Sequence, residues 1–128
     1  MSVKISATQR RDPRDPNSQP KYYATVRSNG RVDSHGLAKD INKMSTVSSV
    51  DTAAVLEAFI NVVPDLLADG KIVELGDLGT FRVSVSSEGA ETPEEVTARS
   101  ITDVRILFQP GKRIRQMLSG TAFEKIQN

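Results

Sequence analysis

The sequence predicts an α+β chain: two helices, a three-stranded antiparallel sheet and a short last helix, preceded by a small β-hairpin. Three observations lead there. Apolar residues recur at helical spacing from about residue 33 to 68, they alternate with polar ones between 71 and 108, and a proline-rich loop interrupts the chain before residue 21.

The first element is Val3-Lys4-Ile5-Ser6-Ala7-Thr8, where the alternation has the period of a half-buried strand. Residues 10–20 follow with Pro13, Pro16 and Pro20, and form a loop because proline lacks the ladder N–H and restricts its predecessor. Residues 22–27 read as a second strand and Ser28-Asn29-Gly30 as a turn. The chain is thus divided into an N-terminal β extension, residues 1–32, and a main domain, residues 33–128.

Asp33 or Ser34 caps the first helix, with Leu37, Ala38, Ile41 and Met44 along one side. Ser48-Ser49-Val50-Asp51 opens the second as a capping box. From Val50 to Ala68 the apolar residues, Val55, Leu56, Phe59, Ile60 and Val63 among them, cover more than one face. A surface helix needs only one apolar stripe, so the breadth predicts burial on two sides, most easily by a second subunit. Pro64 removes one helical hydrogen bond and predicts a kink near residue 60, and Asp69-Gly70 ends the helix. Residues 71–75, 80–86 and 101–108 are the three strands, with Gly76-Asp77-Leu78-Gly79 as a turn between the first two. Residues 110–118 form a basic helix with Pro110 in its first turn.

Composition limits the function classes. With 128 residues, four Phe, two Tyr and no Trp, a monomer has a small core, and completion by association is expected. The absence of Cys removes disulfides, thiolate nucleophiles and thiol metal sites. No apolar run is long enough for an ordinary transmembrane helix or a signal peptide, which predicts a cytoplasmic protein without membrane association. The net charge is only +1, yet its distribution is uneven. Residues 1–34 hold seven basic and three acidic side chains and residues 99–128 hold six and two, while residues 35–98 hold four basic against eleven acidic. Basic ends around an acidic middle can create a local anion-binding face on a nearly neutral protein.

Two stretches carry a resemblance. Gly70-Lys71-Ile72-Val73-Glu74-Leu75-Gly76-Asp77-Leu78-Gly79-Thr80-Phe81-Arg82-Val83 resembles the signature of the HU/IHF family of bacterial histone-like DNA-binding proteins, and Phe108-Gln109-Pro110-Gly111-Lys112 is similar to that family's Phe-x-Pro-Gly-Lys. The order of elements from about 33 to 118 matches as well, while the N-terminal strands and the 92–97 segment look closer to a divergent branch. The resemblance implies an HU/IHF-like fold in an intertwined homodimer that binds double-stranded DNA, with long β-arms wrapping the minor groove and a proline at each tip wedging between base steps. It implies a nucleoid-associated, architectural protein with no cofactor and no small-molecule substrate.

The sequence departs from the family at the arm. Between Ser84 and Ser100 stand Glu88, Glu91, Glu94 and Glu95 against Arg99 alone, a composition that repels phosphate. Thr92-Pro93-Glu94-Glu95 reads as a helix start, with Thr92 as cap and Pro93 in the first position, rather than as an intercalating wedge. Phosphate contacts are therefore expected from Arg82, Arg99 and Arg105, and from the last helix through Gly111, Lys112, Arg113 and Arg115, where unpaired N–H groups and full charges coincide. Arg82 and Arg105 have an alternative reading as cross-strand partners of acids. The Ser48-Ser49 cap is a lesser anion candidate, and Arg10, Arg11 and Arg14 are partly cancelled by Asp12 and Asp15.

Enzymatic readings find no support. His35 is the only histidine and sits at a helix start, no Asp/Glu/His cluster has metal-ligand spacing, and no nucleophile, base and orienter assemble. The rival to DNA binding is an HU-fold dimerisation or protein-interaction module with little DNA affinity, motivated by the acidic arm.

Overall fold

The computed structural model describes residues 2–127. In chain order its elements are β1 (Ser2–Arg10), β2 (Lys21–Arg27), α1 (Ser34–Met44), α2 (Ser49–Ala68), β3 (Val73–Glu74), β4 (Gly79–Ser87), β5 (Ile101–Pro110), α3 (Lys112–Ser119) and β6 (Ala122–Lys125). They fall into two compact units, Met1–Asp33 with Met117–Asn128, and Ser34–Gln116.

The first unit is a three-stranded sheet in the order β2-β1-β6 rather than the two-stranded hairpin expected from the N-terminus alone. β1 and β2 pair antiparallel from Lys4↔Arg27 to Arg10↔Lys21, and β6 joins the other edge of β1 in parallel from Ser2↔Ala122 to Ile5↔Lys125. The Lys4 ammonium and Ser2 hydroxyl both bond the Glu124 carboxylate across this edge. The hydrogen bond and charge of Lys4, with the Ser2 hydroxyl, hold the Glu124 carboxyl below the ordinary carboxylate range. A parallel partner more than a hundred residues away leaves no local turn signal, so the sequence pattern of β6 passes unnoticed.

The second unit holds the helical hairpin and the sheet β3-β4-β5. Ser48 caps α2 as expected: its Oγ accepts from the Asp51 N–H at 3.1 Å, and its carbonyl accepts from Thr52 Oγ1 at 2.8 Å. α2 runs unbroken through Pro64. Its end is a Schellman motif, with Gly70 N–H donating to Leu67 O at 3.0 Å and Lys71 N–H to Leu66 O at 3.1 Å, while Gly70 takes φ 80°. That cap still engages Lys71, so the strand expected over 71–75 shrinks to Val73–Glu74.

The turn between β3 and β4 is a short 3-10 turn over Gly76–Leu78, closed by Leu75 N–H to Gly79 O at 2.8 Å. β4 and β5 then form the longest ladder, from Gly79↔Pro110 to Ser87↔Ile101, with a register slip at Ser86/Ser87. Phe81 faces Phe108 across it, ring centroids 4.8 Å apart. Pro110 is the last residue of β5, not the first turn of α3. A proline that has no N–H to give is accommodated at the end of an outer strand. Gly111 bridges the two elements, donating its N–H to Leu78 O at 2.9 Å.

Few apolar side chains are covered. Among the described residues the buried hydrophobics are Ala38 and Leu67, whereas Val55 is 66% exposed, Ile60 52% and Ile106 61%. An open apolar groove lined by Ile41, Val47, Val55 and Leu56 lies on the helical hairpin. A helix with two apolar sides, one of them bare, leaves the core of a single chain incomplete.

The Gly111 contact predicts a stability effect. A Cβ at residue 111 would overlap the Asp77 carbonyl and approach Gly79 N to 3.0 Å. Gly111→Ala is expected to destabilise the fold by about 1–3 kcal/mol, the usual range for overpacking, measured by urea unfolding.

Candidate nucleic-acid interface

Alternation along β4 and β5 sorts their side chains by face. Phe81, Val83 and Val85 lie opposite Phe108, Ile106 and Val104, an apolar face. The other face carries Thr80, Arg82, Ser84 and Ser86 opposite Gln109, Leu107, Arg105 and Asp103. Arg82 and Arg105 are therefore diagonal neighbours on one surface. Leu107 stands directly opposite Arg82 and Ser84 opposite Arg105, while on the β3 side Glu74 pairs with Thr80 and so lies diagonal to Arg82 on this face. Neither arginine forms an ion pair; among the described residues ion pairs join Lys4 to Glu124, Lys43 to Asp40 and Lys71 to Asp69. Asp103 stands on the same face two residues from Arg105, toward the far end of the ladder.

The start of α3 sits at the near end of that ladder. Lys112, Arg113 and Arg115 are exposed there. Arg115 folds back so that its Nε donates to Pro110 O at 3.1 Å, which fixes its guanidinium beside the helix start. The N–H of Gly111 is taken by Leu78 O. The groups open to a phosphate at this point are then the first amides of the helix proper, which have no intrahelical carbonyl to bond.

At about 3.4 Å per residue, Arg82 lies roughly 10 Å along the ladder from the α3 end and Arg105 roughly 17 Å. Arg99 is set apart from both. It belongs to a 3-10 turn over Ala98–Ser100, beyond the Ser87↔Ile101 end of the ladder. The loop there closes through Glu88 N–H to Ser100 O at 2.8 Å and contains Glu88, Glu91, Glu94 and Glu95. Pro93 does open a turn, but only a single 3-10 turn over Pro93–Glu95 in which the Thr92 side chain makes no cap. The capping box lies instead between Thr97 and Ser100, whose Oγ accepts from Thr97 N–H at 3.1 Å. Charge thus runs from basic at the sheet base to acidic at the tip. The Ser48 hydroxyl accepts from the Asp51 N–H as the cap of its own helix.

The two signature stretches meet in space: Gly79 pairs with Pro110, Thr80 with Gln109 and Phe81 with Phe108, and Leu78 accepts from Gly111. Residues 1–125 match the HU-HIG family, described as an HU domain fused to a wHTH, Ig or glycine-rich motif. The chain belongs to this family. No curated protein matches it. Among solved structures, a crystal structure of a candidate bacterial DNA-binding protein from Bacteroides vulgatus ATCC 8482 superposes with a TM-score of 0.65 at 15% identity, covering 98% of this chain and 48% of that one. The likeness shows a shared fold, and this HU-HIG chain spans about half the length of that protein. Among the described residues no helix is long and apolar enough to cross a membrane, and no group of three His, Cys, Asp or Glu side chains is placed to hold a metal ion.

The side-chain arrangement of the N-terminal sheet escapes a reading of the sequence. Lys4, Arg10, Lys21 and Arg27 come to one face of it, which only the β1–β2 register reveals.

Proposed function

We propose that this HU-HIG chain is a non-enzymatic, homodimeric binder of double-stranded DNA that grips phosphates with little regard to sequence, in the manner of a nucleoid-associated architectural protein. The observation that carries the reading is the polar face of β4–β5, where Arg82 and Arg105 lie together with no acid opposite either, leading to the basic start of α3. Two arginines without ion pairs, beside the basic start of α3, suit a phosphate backbone even with Asp103 and Glu74 on the same face. Family membership and the description of the Bacteroides vulgatus protein point the same way. The division into an extension over 1–32 and a DNA-binding domain over 33–128 belongs to the same proposal. The acidic 88–95 tip is poorly suited to wrapping DNA, so contacts are assigned to the sheet base and α3, with Arg99 the outermost. That tip is also the one observation favouring the second reading, an interaction module in which acids recognise a basic partner.

The bare apolar faces of α2 and of β4–β5 motivate the homodimer. Sedimentation should give twice the 14.0 kDa chain mass, and Val55→Asp with Ile60→Asp should abolish the dimer and its cooperative melt. A well-folded wild-type monomer would contradict the proposal.

Binding should weaken log-linearly with salt, by about 0.9 in slope per phosphate neutralised. In fluorescence-anisotropy titrations, Lys112→Glu with Arg113→Glu should lower affinity for unrelated duplex sequences alike, by an order of magnitude or more. Normal binding by that variant would remove α3 from the interface.

A further inference from the structure

The N-terminal sheet carries a second concentration of cations, in a place the β4–β5 face does not explain. On β1 the residues Lys4, Ser6, Thr8 and Arg10 share a face. The register sets Arg27 opposite Lys4, Thr25 opposite Ser6, Tyr23 opposite Thr8 and Lys21 opposite Arg10. The reverse face is mostly apolar, with Val3, Ile5 and Ala7 between Tyr22, Ala24 and Val26 on one side and Phe123 and Lys125 on the other. Four of the five cations in the strands of this sheet therefore share one face.

Like charges directly opposite each other destabilise an antiparallel pair. This face holds two such pairs, Lys4/Arg27 and Arg10/Lys21, about 20 Å apart at the strand rise of 3.4 Å per residue. Of the four cations, Lys4 alone has an ion pair among the described residues, with Glu124. Arg10 and Lys21 are exposed and, among the described residues, have no ion pair. Arg27 gives its Nε to Ser6 Oγ at 2.6 Å, which lays the guanidinium along the sheet. Its terminal nitrogens have no partner among the described residues. Asp12 and Asp15 in the adjoining loop do not relieve the excess by contact, because they accept from the Arg14 and Asn17 amides at 2.9 and 3.1 Å. Tyr23, 49% exposed, stands between the two cation pairs.

We infer that this face of the N-terminal sheet is a second nucleic-acid contact surface, holding the phosphate backbone through Arg10, Lys21 and Arg27. Two cationic pairs spaced along a straight ladder match a polyanion of regular charge spacing, and an exposed tyrosine between them offers a hydroxyl to phosphate or a ring to a base. The choice of nucleic acid as the polyanion rests on the function proposed above.

The test is made on the full chain with a 30-base-pair random duplex, by anisotropy across salt concentrations. Arg10→Ala with Lys21→Ala leaves the Arg27–Ser6 bond intact. It should flatten the salt slope by about 2 and weaken binding on the order of tenfold at low salt, as loss of two phosphate contacts requires. Its melting temperature should equal or exceed that of the wild type, because a repulsive pair is gone. Arg82→Ala with Arg105→Ala is the companion variant. Wild-type affinity and slope in the sheet variant would overturn the inference while leaving the β4–β5 reading in place. Loss in the sheet variant with none in the companion would support the inference and overturn that reading, and a wild-type chain that binds no duplex at low salt would overturn both.

Discussion

The chain leaves its longest ladder at Pro110 and enters α3 two residues later, and the geometry of that passage rests on one hydrogen bond, from the Gly111 N–H to the Leu78 carbonyl. The bond seats residue 111 against the 76–79 turn so closely that no side chain fits there. It fixes where β5 ends, where α3 begins and how the 3-10 turn after β3 is braced. The Phe81–Phe108 contact sits two steps along the same ladder and stiffens it. The basic start of α3 and the Arg82/Arg105 face owe their common register to this junction.

A second constraint is the shortage of covered apolar surface. α2 is too apolar for a surface helix and β4–β5 presents a full row of valine, isoleucine and phenylalanine on one side. Burying such rows contributes on the order of 25 cal/mol per Å², so a fold that leaves them bare lacks a large part of its driving force. The proposed homodimer supplies it from a second copy. Dimerisation would also double the cationic strip, which matters for a protein whose net charge is only +1. Affinity in such a case depends on the local arrangement of charge and not on its sum.

Much of the second unit is legible in the sequence because its signals are local. The Ser48 cap, the stop at Gly70, the alternation in β4 and β5 and the turn at 76–79 all follow from residues within a few positions of one another. Where expectation and structure part, a tertiary contact has intervened. Pro110 resembles a helix start, but its partner Gly79 holds it in the ladder. Lys71 resembles a strand residue, but the α2 cap claims its amide. Gly111 reads as a phosphate donor, while its N–H is spent on Leu78. β6 and the cationic face of the N-terminal sheet stay hidden for a related reason: both exist only through strand register, and a parallel pairing of Ser2 with Ala122 leaves no trace in either segment alone. The uneven charge along the chain does mark both basic ends, but not which side chains share a face.

In the proposed complex, duplex DNA lies on the Arg82/Arg105 face near the sheet base and away from the acidic tip. The chain has no cysteine of its own, so a single photo-crosslinking probe can be attached at one introduced thiol. The decisive measurement compares Ser84→Cys, on the polar face opposite Arg105, with Val85→Cys on the apolar face and Glu94→Cys at the tip. DNA seated on the Arg82/Arg105 face should give strong crosslinking to a random duplex from position 84 and little from 85 or 94. Crosslinking concentrated at 94, with none at 84, would contradict it.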